Sequence, residues 1–167
     1  KEGPGKPAFS PRLSAILPTG NSDKGLGNGS FGLQVNLPFS KQTGDWYWHW
    51  NAGLTWIDRA KATFQRGDLV IKREHWLASP FLAASGIYRL RPMFNLMLES
   101  LVTFDEFLEE DGTDRDTTFT LSPGFRGGWD IGEKQVVVGA AVPISWSDET
   151  SAGVYLYFSY ELPFKRN

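Results

Sequence analysis

Seven ionisable residues sit at positions that alternate with apolar ones: Arg12, His49, Arg89, Glu99, Asp105, Arg126 and Glu161. Charges gathered on a buried face must pair or bear a large desolvation cost. Two chemistries fit them. One is an ion network bridging the inside of a narrow barrel, with pairing across the lumen. The other is a charged constriction that sorts solutes. Catalysis is poorly supplied. The chain has two histidines, His49 and His75, and no cysteine, so a zinc site lacks thiolates. A Ser–His–acid hydrolase site would have to be assembled by the fold, and no local motif marks one. Gly25, Gly27 and Gly29 lack the strand-to-helix setting and lysine of a phosphate loop, and read as a flexible turn. No enzyme activity, catalytic residue, metal or cofactor is expected.

Two charged stretches read as loops. Residues 106–116, with Asp105 before them, are acidic and lack the ligand spacing of an EF-hand. Residues 58–75 carry Arg59, Lys61, Arg66, Lys72 and Arg73. These either solubilise an extracellular hairpin or contact lipopolysaccharide phosphates.

The elements that must position these residues are strands, because the dominant period is two. Val154, Leu156, Phe158, Tyr160, Leu162 and Phe164 share one face; Tyr155, Tyr157, Ser159 and Glu161 share the other. The same alternation puts Leu33, Val35, Leu37 and Phe39 against Gln34, Asn36 and Ser40. Trp46, Trp48, Trp50, Ala52, Leu54 and Trp56 oppose Tyr47, His49, Asn51, Gly53 and Thr55. Phe94, Leu96, Leu98, Val102 and Phe104 oppose Asn95, Glu99, Thr103 and Asp105. Two further segments, around Phe119 to Trp129 and Val136 to Trp146, behave alike. The first segment carries Pro11 on its apolar face, and Leu77 to Leu90 alternates least clearly. This makes about eight strands. Several carry the pattern for ten residues or more, against about five or six in a globular strand and about 9–11 in a bilayer strand.

Connections alternate in length. Tight turns are expected around 42–45, 91–93 and 131–134, and longer connections at 19–29, 58–75 and 106–116; a short loop lies near 148–150. Short turns on one side and longer loops on the other fit an outer-membrane barrel, whose even strand count leaves both termini periplasmic. Trp46, Trp48, Trp56, Trp76, Trp129, Trp146 and Phe164 are assigned to the membrane interfaces, where amphipathic rings concentrate.

Composition limits the alternatives. The formal charge is −2, which gives no attraction for nucleic acid. No apolar run approaches the roughly 20 residues of a membrane helix. Strands that cross lipid must close into a barrel. A soluble lipocalin-like barrel would put the apolar face inside around a ligand. Here the opposite face is too sparsely charged for a water surface, and the apolar face too bulky for a small interior.

The stretch Pro11-Arg12-Leu13-Ser14-Ala15-Ile16-Leu17-Pro18-Thr19-Gly20, followed by Lys24-Gly25-Leu26-Gly27-Asn28-Gly29 and Leu33-Gln34-Val35, resembles the outer-membrane protein family named for the meta-pathway of phenol degradation. Trp50-Asn51-Ala52-Gly53-Leu54-Thr55-Trp56 and the closing strand over 157–164 are also similar. The resemblance implies a barrel and, for some members, transport of hydrophobic compounds; it brings no catalytic residue. Its members are often longer chains. The terminal strand, ending in Phe164, resembles the signal read by the barrel-assembly machinery.

The expectation is an all-β, antiparallel up-and-down transmembrane β-barrel with about eight strands. It forms one domain over 1–167 or the C-terminal part of a larger barrel. The expected location is the bacterial outer membrane. Expected partners are its lipid and lipopolysaccharide, the barrel-assembly machinery and a small-molecule solute, but no nucleic acid. The expected function is a channel or transporter for small, hydrophobic molecules. A sealed structural or surface-interaction barrel and a soluble ligand-binding barrel are the alternatives.

Overall fold

A computed structural model describes residues 2–162. Phe164, assigned above to an interface and to the assembly signal, lies outside the described residues. The described strands are β1 (Ala8–Phe9), β2 (Arg12–Ile16), β3 (Gly32–Thr43), β4 (Trp46–Arg66), β5 (Leu69–Arg91), β6 (Phe94–Leu108), β7 (Thr113–Ile131), β8 (Lys134–Ala141), β9 (Ile144–Trp146), β10 (Thr150–Ala152) and β11 (Tyr155–Glu161).

These make eight passes. β1 and β2 both pair with β3, and Pro11, which has no N–H to donate, lies between them. β8 and β9 both pair with β7 on either side of Pro143. β11 and β10 pair with β8 and β9 in turn. Every ladder is antiparallel and joins chain neighbours in the order β1-β3-β4-β5-β6-β7-β8-β11. This is the up-and-down architecture expected from the alternation.

Closure is where the sheet stops short of the expected barrel. Among the described residues no ladder joins the first pass to the last. The sheet still wraps far enough that Ala8 on one edge and Tyr155 on the other line a common cavity. The edges are the broken passes: β1, β2, β10 and β11 have 2, 5, 3 and 7 residues, whereas β4 and β5 have 21 and 23. Short interrupted edges offer few ladder bonds to each other.

The long connections are corrected. Residues 58–75 are mostly strand: β4 runs to Arg66 and β5 restarts at Leu69 around a two-residue turn with Gly67 at φ 63°. Likewise β6 runs to Leu108 and β7 restarts at Thr113. Charge on both faces hid these strands, because a hairpin projecting beyond the apolar zone is wet on both sides. The tight turns fall at Gly44-Asp45, Pro92-Met93 and Gly132-Glu133, all at the opposite end.

The wrap turns the apolar face outward, the reverse of a lipocalin-like barrel. Leu54, Leu82, Leu98, Phe125 and Val138 are all exposed. On the outer face, bands of rings lie near the two ends. Trp46 stacks on Trp48 at 5.0 Å and lies 4.9 Å from Tyr88 near the tight-turn end, which Trp129 also marks. Trp146 stacks on Phe119 at 5.6 Å toward the other end, where Trp56 and Trp76 also stand. From Trp46 to Trp56, ten residues at roughly 3.3 Å each and a tilt near 40° span about 25 Å.

The accessible surface is 11976 Å² for 18.7 kDa; a compact soluble monomer of that mass exposes about 8,300 Å². The buried apolar residues, Ile57, Ala60 and Leu77, form a small cluster with Ile16 and Leu108 packed against it. That cluster sits inside the wrap, toward the long hairpins. Gly32 makes room for it: a Cβ there would stand 2.6 Å from the Trp56 carbonyl oxygen and 2.5 Å from Ile57 Cδ1.

Candidate functional site

The inward face of β4 to β7 holds a row of polar side chains. His49 on β4 pairs in register with Ser85 on β5, Ser85 with Glu99 on β6, and Glu99 with Ser122 on β7. Directly opposed residues in antiparallel strands are about 4.5–5.5 Å apart at Cα. The four side chains therefore form a continuous arc around the wall.

Two one-residue register shifts create this arc. One lies between Ile57 and Ala60, with Arg59 at φ 46°. The other lies between Arg89 and Arg91. Without the first, the pairing set by the Gly67-Asp68 turn would put His49 opposite Gly86. Without the second, Glu99 would also face Gly86. A slip of one residue moves side chains to the other face of a sheet. The two shifts thus bring His49 and Glu99 to opposite sides of the same inward-facing Ser85.

The arc lines a cavity of about 870 Å³ whose other walls include Pro38, Ala83, Leu101 and Ala141. Beside it runs a chain of amide hydrogen bonds. Asn51 Nδ2 donates to Asn36 Oδ1 at 3.1 Å, Asn36 Nδ2 to Gln34 Oε1 at 3.0 Å, and Gln34 Nε2 to Thr55 Oγ1 at 2.9 Å. Asn36, at its centre, is 3 % exposed. Each amide donates to the next acceptor along the chain, and Asn51 Oδ1, at its start, has no partner; Ser85 Oγ also has none. Both residues line the cavity.

Going up β5 from Ser85 toward the long hairpins, the inward positions become mainly apolar. Ala83 comes first, then Phe81, and Leu77, paired with Ile57, lies beyond Ser79, whose hydroxyl accepts from the Glu106 N–H. Toward the tight turns the wall is polar again, where Arg126, Asn95, Glu161 and Tyr157 line a hollow of about 210 Å³.

The seven charged candidates are therefore dispersed. His49 and Glu99 meet at the cavity, Glu99 and Arg126 line a side hollow of about 350 Å³, and Arg126 and Glu161 share the smaller one. Arg12 pairs in register with Asn36 on the first pass. Arg89 is held at the turn end by Asp45 at 2.8 Å, with its guanidinium 5.8 Å from the centre of the Tyr47 ring. Asp105 faces Asp116, a like charge, on the projecting hairpin. The expected cross-lumen ion network is absent among the described residues. Their ion pairs are Lys41–Glu2, Arg59–Asp58, Lys72–Asp23, Arg89–Asp45 and Arg115–Glu106, all at the rims or in projecting segments. Glu99 is exposed to the open interior, so water replaces the counter-charge that a sealed lumen would require.

The basic residues of 58–75 serve the loops. Asp23 accepts from the Thr63 hydroxyl at 2.9 Å and pairs with Lys72 at 3.3 Å. The Thr63 hydrogen bond, then the Lys72 hydrogen bond and charge, hold the Asp23 carboxyl below its ordinary value. Arg73 donates to the Glu110 carbonyl at 2.6 Å. His75 meets its neighbour's carbonyl, Trp76 O, at 2.7 Å rather than any partner in the cavity.

The amide chain and the Ser85-centred arc were not read from the sequence. Their signal was the run of Gln, Asn, Thr and Ser at inward positions, which alternation places on a face but not in register.

No curated protein and no solved structure matches this chain. A family model matches residues 2–126, which include the first five passes, the amide chain and the whole of the arc. By that match the chain belongs to the family described as "Putative MetA-pathway of phenol degradation".

Proposed function

We propose that the protein is a β-barrel of the bacterial outer membrane, with both termini periplasmic, that gives small, mainly apolar molecules a route through its interior. The observation that supports this reading most is the inversion of faces. Bulky apolar and aromatic residues point outward, and a cavity of about 870 Å³ with small side chains lies within. Hydrocarbon is the solvent that suits such an outer face. Lipid on the outer face and lipopolysaccharide around the long hairpins are the partners of this reading. So is the barrel-assembly machinery, acting through the closing strand.

In lipid every unpaired backbone group costs several kcal/mol. The first and last passes run antiparallel, so they have the relative direction needed to pair with each other in the bilayer. The apolar residues Phe81, Leu77 and Ile57 stand in the axial path beyond the cavity. They favour an apolar solute over a water-filled channel, and an exit at the side beside Tyr155 over one along the axis.

The test is reconstitution into vesicles after heat-dependent gel mobility has established a folded barrel. Faster uptake of toluene than in protein-free vesicles, without discrete ionic conductance, supports the route. Equal uptake sinks it, and leaves the sealed structural barrel, which the apolar cluster inside the wrap also favours.

A further inference from the structure

We propose that the cavity contains a recognition site for a primary ammonium group carried on a small apolar body. The proposal deepens the route above and rests on it for the ligand's access, while binding itself is read separately.

The argument is a count of donors and acceptors. Glu99 brings two carboxylate oxygens to the cavity, and among the described residues no basic group lies within ion-pair distance of it. Asn51 donates one of its two amide N–H groups to Asn36 and keeps an unpartnered Oδ1 buried in the cavity wall. Ser85, between them, has an unpartnered Oγ, also buried in the wall, which a change of its rotamer turns to the cavity. Ser122 flanks Glu99 on the far side and His49 flanks Ser85 on the near side. A carboxylate accepts only, and a hydroxyl or imidazole can accept. The free capacity of the arc is therefore dominated by acceptors. An ammonium group has three donors and no acceptor, the complement of this set.

Charge points the same way. The nearest inward cation on the β7 wall, Arg126, shares a side hollow of about 350 Å³ with Glu99, but no ion pair joins the two among the described residues, whose ion pairs lie elsewhere. Arg12 is on the first pass, opposite Asn36. The Glu99 carboxylate thus presents its charge to the cavity. Of the remaining walls, Pro38, Ala83, Leu101 and Ala141 offer apolar contact, and Ser10, Thr120, Ser145, Ser151 and Tyr155 add uncharged hydroxyls. Hence the ligand's body is uncharged and compact. A cavity of this size falls in the usual range for small-molecule sites, about 300–1,000 Å³.

The experiment is ligand-observed NMR titration of the refolded protein in an uncharged detergent at neutral pH, with benzylammonium, benzyl alcohol and toluene as probes. Benzylammonium is expected to bind about tenfold more tightly than benzyl alcohol, as a charge-assisted hydrogen bond allows. Glu99→Gln is expected to reduce that preference to about twofold or less, without abolishing the toluene signal. Equal binding of the two polar probes by the wild type overturns the proposal. So does a preference that survives in Glu99→Gln, or tighter binding of benzyl alcohol. Should Glu99→Gln fail to fold, Ser85→Ala supplies the test, with benzylammonium weakened more than toluene; equal weakening overturns it. Toluene uptake by vesicles separates the two readings. Ammonium preference without uptake removes the route and keeps the site. Uptake without ammonium preference keeps the route and removes the site.

Discussion

Phe81 on β5 lies across the bare backbone of its register partner Gly53 on β4, where a Cβ would collide with the ring. The missing side chain is what lets an aromatic ring occupy the inner wall between the polar arc and the apolar cluster. Gly53→Ala is expected to force the ring away at a cost of about 1–3 kcal/mol. Urea titration of the refolded protein checks this. The double variant Gly53→Ala/Phe81→Ala should be less destabilised than the sum of the two singles, because the collision with the ring needs both, whereas the approach to the Val35 carbonyl oxygen at 2.7 Å stays in either background. Strict additivity would mean that the ring does not rest on Gly53.

Leu98 faces outward on β6 between Phe94 and Phe104, and is 51 % exposed. Leu98→Arg is expected to cost about 2–4 kcal/mol for folding into phosphatidylcholine vesicles, as a cation near the bilayer midplane does. In water the same substitution at an exposed position would be nearly neutral. A change under about 0.5 kcal/mol in vesicles would put this face in water.

Asn36 joins two links of the amide chain and is nearly inaccessible. Asn36→Ala strands the Asn51 amide N–H and the Gln34 carbonyl oxygen. Leaving buried polar groups unpaired costs about 1–3 kcal/mol each. A loss of about 2 kcal/mol or more is expected by denaturant titration. No loss would show that water satisfies both groups.

Asp23 fastens the first long loop to the β4–β5 hairpin through Thr63 and Lys72. Its carboxyl pKa is lowered by folding, so the tether is fully present above the ordinary carboxylate value of 3.8. It is lost only as pH falls through the lower, folded value. Hydrogen exchange at Lys24 and Leu26, which bond back to Asn21, is expected to stay slow from neutral pH down to that range. Asp23→Asn should speed it at neutral pH. Fast exchange in the wild type at neutral pH would show that the clasp does not hold the loop.

What was legible in the sequence follows from the physics of a two-faced strand. Trp46 to Trp56 and Phe94 to Phe104 alternate because lipid-like and interior surroundings select opposite residue types, and the tight turns announce themselves at Gly44, Pro92 and Gly132. The pattern fades where the surroundings are alike on both faces. Lys61 to Lys72 are wet on each side, so strand read as loop. Leu77, Phe81 and Ile87 are apolar yet inward, so β5 lost its alternation. The arc was invisible for another reason. His49, Ser85 and Glu99 each read as inward or polar, but their alignment depends on the shifts near Arg59 and Leu90, which composition does not mark. The even meander gave the up-and-down order and the direction of the edge passes, but not how short those passes are.

The ladder order has a consequence for how such a molecule can vary. No strand is interleaved between two others distant in the chain, so a hairpin gained or lost at either edge leaves all the existing pairings intact. Circumference then changes in steps of two strands, and bore follows it roughly linearly. The aromatic bands and the polar arc are written within and between neighbouring strands, so they survive each step. The width of the bore and the chemistry of its wall are separate variables in this architecture, and selection can alter one while holding the other.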